Sequence, residues 1–158
     1  MFAVTIYTDG ACKGNPGPGG YAAILTCNGK EKIIRGGASQ TTNNRMELIA
    51  VIEGLKALKK PSEVLIVTDS KYVMMTREKW LRWQKKHNVP NWDLWQTLLT
   101  EGKNGQHKIR FQHVDGHSGH VYNERCDKIA KEQAMKFATG EKTSMPIEDA
   151  LAILAERS

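Results

Sequence analysis

Cysteine is scarce in this chain: three in 158 residues, Cys12, Cys27 and Cys126, an odd and scattered set without a Cys-x-x-Cys pair. That argues against a disulfide framework and fits free thiols in a reducing cytosol, so a cytoplasmic protein is expected. No run approaches the ~20 consecutive apolar residues that span a bilayer, and no membrane partner is expected. At the N-terminus no basic segment precedes an apolar one, and the chain passes directly into a strand-like run, so no export signal is expected. Internal repeats and low-complexity segments are lacking as well. What is present is an ordinary globular composition, 40% hydrophobic and 25% charged. A chain of this length makes one compact domain that buries about two thirds of its unfolded surface. The charge is uneven, 23 Lys and Arg against 17 Asp and Glu, a net +6. Such a balance favours a polyanionic partner without singling one out.

The first informative stretch runs from Phe2 to Gly20. Phe2 to Tyr7 is an apolar, β-branched strand signal, and Asp9 stands where that strand should end. A loop rich in glycine and proline follows. A desolvated carboxylate is costly unless it is paired or bound to metal. Glycines let a backbone come close to a ligand, and prolines stiffen the loop. The plainer alternative is a turn aspartate opening a Gly/Pro loop.

Further along, Tyr21 to Cys27 and Glu31 to Arg35 flank Asn28-Gly29, the type I′ hairpin signal, so strands one to three form an antiparallel meander. Gly36 to Asn44 reads as polar loop. Leu48, Val51, Ile52, Leu55 and Leu58 recur at helical spacing, and Pro61 stops that helix. Val64 to Val67 is continuously apolar, as in a strand covered on both faces, and it ends in Thr68-Asp69, repeating the Thr8-Asp9 ending. Ser70 can cap a second helix. Asp93 to Glu101 predicts a short helix closed by Gly102. Ile109 and Phe111 alternate with Arg110 and Gln112 in a fifth strand, and Cys126, Ile129, Ala130, Ala134 and Phe137 mark a further helical face. Thr139 to Ser144 is linker-like, and beyond Pro146 the residues Ile147, Ala150, Leu151 and Leu154 form an apolar helical stripe. The expected division is a domain over 1–138 and a helical C-terminal extension over 139–158. The order of elements predicts an α/β single domain with a mixed sheet. A helix separates strands one and four, so a right-handed crossover makes them parallel. As neighbours they would bring Asp9 and Asp69 to one edge.

Two more acids can join them. Glu47 lies in the first turn of the helix before strand four, and Asp127 near the start of the helix after His117. Singly, Asn44-x-x-Glu47 reads as a capping box and Asp127 as an acid complementing a helix dipole. Jointly, four anions on one edge repel one another unless a cation holds them. Carboxylate oxygens without thiolate or imidazole partners select Mg²⁺ or Mn²⁺. A pair of such ions about 4 Å apart suits in-line displacement at a phosphodiester. His117, in a glycine-flanked loop, fits a proton carrier. The spacing of His117, His120 and Cys126 does not match a zinc site. From Lys71 to Lys86, six Lys/Arg face one acid, Glu78, with Trp80 and Trp83 interleaved.

Four motifs in order carry a family resemblance. Thr8-Asp-Gly with Gly14-Asn-Pro-Gly-Pro-Gly-Gly-Tyr21, Thr41-Thr-Asn-Asn-Arg-Met-Glu-Leu48, Thr68-Asp-Ser70, and Gly116-His-x-Gly-His120 with Asn123-Glu-Arg-Cys-Asp127 together resemble ribonuclease H type 1, from the first strand through Ala138. The resemblance implies a five-stranded mixed sheet flanked by helices, with strands four and five parallel to strand one. It implies a monomer that cuts the RNA strand of RNA–DNA hybrids with two Mg²⁺ ions, Mn²⁺ being a possible substitute, leaving 5′-phosphate and 3′-hydroxyl ends. Asp9, Glu47, Asp69 and Asp127 resemble the metal-binding acids, and His117 the loop histidine that assists proton transfer or product departure. Cys12, Asn15, Asn43 and Asn44 resemble substrate-contacting positions, Thr42 part of a DNA-phosphate pocket, and Trp80 and Trp95 aromatics on the DNA-strand side. The physical logic agrees, since only a ribose offers a 2′-OH that both donates and accepts.

Three departures from the family pattern stand out. Only fourteen residues separate Trp80 from Trp95, a shortened basic protrusion in which Arg82, Lys85 and Lys86 take over part of the phosphate contact. Lys71 stands where Gln is common and can reach a phosphate instead. Asp115 replaces a frequent Lys, lowering the local positive potential and favouring the charged form of His117.

Overall fold

The computed structural model describes residues 2–75, 90–116 and 119–140. The expectations for Trp80, Arg82, Lys85, Lys86, His117 and the extension from residue 141 onward lie outside the described residues. The elements are β1 (Phe2–Cys12), β2 (Gly17–Cys27), β3 (Lys30–Thr41), α1 (Asn43–Lys56), β4 (Ser62–Thr68), α2 (Trp92–Asn104), β5 (Lys108–His113) and α3 (Val121–Thr139). Residues 71–75 add a helical stretch after β4.

The strands form one five-stranded sheet in the order β3-β2-β1-β4-β5. The first three are antiparallel neighbours, while β4 runs parallel to β1 and β5 parallel to β4. This is the mixed sheet the sequence predicts, and α1 supplies the crossover between β1 and β4. The period of two in the central strands sorts their side chains between two cores. Val4 and Ile6 of β1 and Tyr21, Ala23 and Leu25 of β2 face the α1 side, where Leu48, Ile52, Leu55, Leu94 and Trp95 pack on them. Ala22 and Ile24 face the other way, against Cys126 and Ala130 of α3. Burial there pushes the Cys126 thiol up to about 12, an inert structural sulfur.

Four local expectations are corrected. The glycine-rich stretch after Asp9 is mostly paired strand, since β1 continues to Cys12 opposite Gly19 of β2. Its glycines serve packing. A Cβ on Gly20 would lie 2.3 Å from the Ala130 carbonyl oxygen and 2.4 Å from the Ala134 nitrogen, so α3 rests directly on the β2 backbone. The segment 36–41 is likewise strand, its polar composition reflecting a sheet edge that needs no apolar alternation. Gly102 lies inside α2, where its bare Cα leaves room for Ile109 of β5, and the helix ends at Gly105. The capping box at Asn44 does not form; Thr42 is the N-cap of α1 and accepts from the Arg45 N–H at 3.2 Å.

One feature of the register sets the location of the site. The β1–β4 ladder ends at Thr8 opposite Thr68. Beyond it β1 stays with β2, whereas the chain after Thr68 turns into the 71–75 helix, capped by Ser70, whose hydroxyl accepts from the Val73 N–H at 3.1 Å. Asp9 and Asp69 are the first residues past the split.

Gly20→Ala tests the seating of α3. The added methyl collides with helix backbone, which cannot rotate away, and should cost about 1–3 kcal/mol in urea unfolding. An unchanged midpoint would mean α3 does not rest on β2 in this way.

Candidate active site

The cleft is built at the split between β1 and β4. Asp9 is 3% exposed and Glu47 4%, burial that ordinary carboxylates avoid. Gly10 is what brings them together. A Cβ there would sit 2.6 Å from the Glu47 nitrogen and 2.7 Å from the Met46 carbonyl carbon, so only glycine lets β1 lie against α1. The Gly10 N–H donates to both acids, to Asp9 Oδ1 at 2.9 Å and Glu47 Oε1 at 3.0 Å. Glu47, in the second turn of α1, therefore points across the sheet edge and not back to its own helix terminus.

Asp69 is held from both flanks. The Thr68 hydroxyl accepts from the Ser70 N–H at 3.0 Å, and His113 Nε2 lies 3.2 Å from the Asp69 carbonyl oxygen. Carboxylate oxygens of Asp9, Glu47 and Asp69 lie within 4.8 Å of one another. Asp127, on α3, lines the same cavity of about 540 Å³. It is too far from the helix start to serve the dipole and is paired with Lys131 at 3.0 Å.

Burial pushes Asp9 up to about 7, and the charges of Asp69 and Asp127 add to it. Glu47 is raised well above the usual carboxylate range, first by burial and then by the charge of Asp9. Asp69 is raised by burial and by Asp127. Asp9 Oδ2 and Glu47 Oε2 are buried without a hydrogen-bond partner among the described residues. Buried oxygens that no protein donor satisfies, in an all-carboxylate set, fit a hard divalent cation.

The other predicted contacts divide. Cys12, Asn43, Asn44 and Lys71 line the cavity with the acids. The Cys12 thiol donates to the Gly17 and Thr41 carbonyls at 3.5 Å each, stitching the hairpin to the start of α1. Asn15 Oδ1 accepts from the Asn43 N–H at 3.0 Å, satisfying one of the free donors at that helix terminus. Trp95 is corrected. It is 1% exposed, part of the core between α1 and α2, and its indole N–H donates to Tyr72 Oη at 3.3 Å. It cannot line a nucleic-acid surface.

Sequence reasoning passed over Arg45. Its guanidinium forks onto Asp93 (3.0 and 2.6 Å) and reaches Asn91 Oδ1 at 3.2 Å, while Asn91 Nδ2 donates to Tyr72 Oη at 2.9 Å. Asn91 sits at φ 59°, a left-handed position that asparagine tolerates. This chain of bonds ties the start of α1, which carries Asn43, Asn44 and Glu47, to α2 and to the helical stretch that follows Asp69. The Asp93 carboxyl, although half-buried, is held below its usual range by Arg45.

The pattern of the RNase H family matches residues 1–135. Ribonuclease H of Nitratidesulfovibrio vulgaris is 51% identical over 145 residues, covering 86% of this chain and 92% of its own. Among solved structures, LC9-RNase H1, a type 1 RNase H with the type 2 active-site motif, superposes with a TM-score of 0.76 at 27% identity, covering 85% of this chain and 73% of that one. LC11-RNase H1 in complex with RNA/DNA hybrid gives 0.67 at 24% identity, covering 84% and 97%; at that identity the likeness is one of fold.

The electrostatics give a sign that can be measured without substrate. Asp9 titrates near 7 in the folded protein against 3.8 ordinarily, so the folded state binds more protons between those values. Metal-free stability should therefore fall as pH rises through that window. Asp9→Asn keeps the shape and removes the charge. In chelator, its stability advantage over the parent should grow from pH 4 to pH 7.5, to on the order of 2–4 kcal/mol. A difference flat with pH in urea unfolding would contradict the assignment.

Proposed function

Because the chain belongs to the RNase H family, we propose that it hydrolyses the RNA strand of RNA–DNA hybrids by a two-ion mechanism, leaving 5′-phosphate and 3′-hydroxyl ends. The observation that supports this most is the convergence of Asp9, Glu47 and Asp69, with Asp127 lining the same cavity and two buried carboxylate oxygens without a partner among the described residues. Asp9, Glu47, Asp69 and Asp127 would hold two Mg²⁺ or Mn²⁺ ions. Such ions supply an activated water and neutralise charge on the phosphate and its leaving oxygen.

The chain's own groups do the rest. The tethers on Asp9, Glu47 and Asp69 fix the acids before substrate arrives, so little reorganisation is needed during the reaction. Asn43 and Asn44 are exposed in the first turn of α1, beside the cavity and facing an incoming strand with amide groups that both donate and accept. That donor–acceptor character suits a ribose 2′-OH and gives nothing to a deoxyribose. Lys71 lines the same cavity, where an ammonium suits a phosphate and adds affinity without sequence preference. Thr42, spent on capping α1, offers its position by the helix terminus to a phosphate of the DNA strand. His117 carries the proton-transfer role its motif implies. The net +6 charge agrees with a polyanionic substrate, and a solved relative in fold is in complex with RNA/DNA hybrid.

Among the described residues no helix is long and apolar enough to cross a membrane. Three free cysteines accord with a cytoplasmic setting, and a monomer is what the family resemblance implies.

The test is cleavage of labelled RNA–DNA hybrid, duplex DNA and duplex RNA side by side. Cutting is expected on the RNA strand of the hybrid alone, with added Mg²⁺, and none with a chelator. Asp69→Asn should lower kcat at least about 100-fold, as expected for losing a charge that stabilises the transition state. Cutting of duplex DNA, or an undiminished Asp69→Asn enzyme, would refute the reading.

A further inference from the structure

One basic group beside the acids has no part in the mechanism above. Lys131 stands on α3 one turn beyond Asp127, with its Nζ 3.0 Å from Asp127 Oδ2, and it lines the cavity that holds Asp9, Glu47 and Asp69. Asp127 holds the ammonium above its ordinary range, and the charge of Asp9 contributes. The cavity lining carries four acids, Asp9, Glu47, Asp69 and Asp127, against two bases, Lys71 and Lys131.

Its neighbour Arg125 shows a different commitment on the same helix. The Arg125 guanidinium forks onto Glu31 of β3, at 3.3 and 2.5 Å, and lies over the Tyr122 ring. That arrangement fastens α3 to the sheet. Among the described residues, the ion pair of Lys131 stays within its own helix. Its side chain is 62% exposed, and its partner is the residue four positions back.

We propose that Lys131 is the resident counter-cation of the acidic cavity: it occupies Asp127 in the ion-free protein, competes with a divalent ion for that carboxylate, and so weakens metal binding. The inference rests on the reading of the acids as ion ligands. An ammonium on a flexible four-carbon stem can leave without moving the backbone. An exposed pair of this kind is weak, so a divalent ion can displace it at modest cost. While in place it screens four crowded carboxylates from one another. When displaced it remains at the mouth of the cavity, where a phosphate would meet it.

The experiment is calorimetric titration of Mn²⁺ into the protein alone, comparing the parent with Lys131→Met and Lys131→Arg, together with melting temperatures in chelator and in saturating Mn²⁺. Lys131→Met should bind the ion about two- to fivefold more tightly, while Lys131→Arg stays at the parent value. The rise in melting temperature on adding Mn²⁺ should be larger for Lys131→Met than for the parent. A pair that merely stabilises α3 would lower both melting temperatures alike and leave the dissociation constant unchanged. An equal or weaker affinity in Lys131→Met overturns the proposal while leaving the acids as ion ligands. A parent protein that takes up no Mn²⁺ overturns both.

Discussion

Carboxylates that share a buried space repel one another, and this repulsion is the constraint around which the structure is arranged. Asp9 and Glu47 are almost wholly removed from water, Asp69 lies beside them, and one N–H from Gly10 serves two of the three. Burial raises the proton affinity of all three, and the charge of Asp69 adds to it at Asp9 and Glu47. Such a cluster is costly to fold around, and among the described residues Asp9 Oδ2 and Glu47 Oε2 are left without a hydrogen-bond partner. A divalent cation would offset that cost. The unfavourable local electrostatics and the proposed chemistry are thus one feature, strain retained at a site because the site needs it.

The rest of the fold can be understood as the scaffold that keeps the acids from moving apart. The β1–β4 ladder is parallel because α1 crosses over the sheet, and it stops at Thr8 and Thr68 so that the next residue of each strand is an aspartate. Gly10 allows α1 to lie on β1, bringing in Glu47 from a third element. Gly20 does the same for α3, the helix that carries Asp127. Arg45 and Asp93 lock α1 to α2, and through Asn91 and Tyr72 the lock extends to the segment after Asp69. Elements distant in sequence are therefore fastened in pairs around one cleft. Sites supported on helices and strands in this way hold their geometry better than sites on loops.

Much of this was legible from the residues, for definite physical reasons. Two apolar runs each ending in Thr-Asp, with a helical period between them, are enough to place Asp9 and Asp69 side by side once crossovers are right-handed. Glu47 was harder. Asn44-x-x-Glu47 fits a capping box, and only the register of the N-cap, two residues earlier at Thr42, turns Glu47 toward β1. Trp95 misleads because an aromatic on a short helix looks the same whether it faces solvent or core; its 1% exposure decides. The glycines looked like a ligand loop because close backbone approach serves a helix as well as a ligand, and composition does not say which. Arg45 gave no local signal, its partners lying 46 and 48 residues away. Lys131 did give one, an acid and a base four apart on a helix. Its meaning came only when Asp127 was seen to line the cavity.

The central claim is that the acidic cluster is a divalent-ion site. Anomalous scattering from crystals soaked in Mn²⁺ addresses it directly. The account predicts ion density in contact with the carboxylates of Asp9, Glu47 and Asp69. Manganese bound elsewhere on the protein, with those oxygens left bare or turned aside, would contradict it.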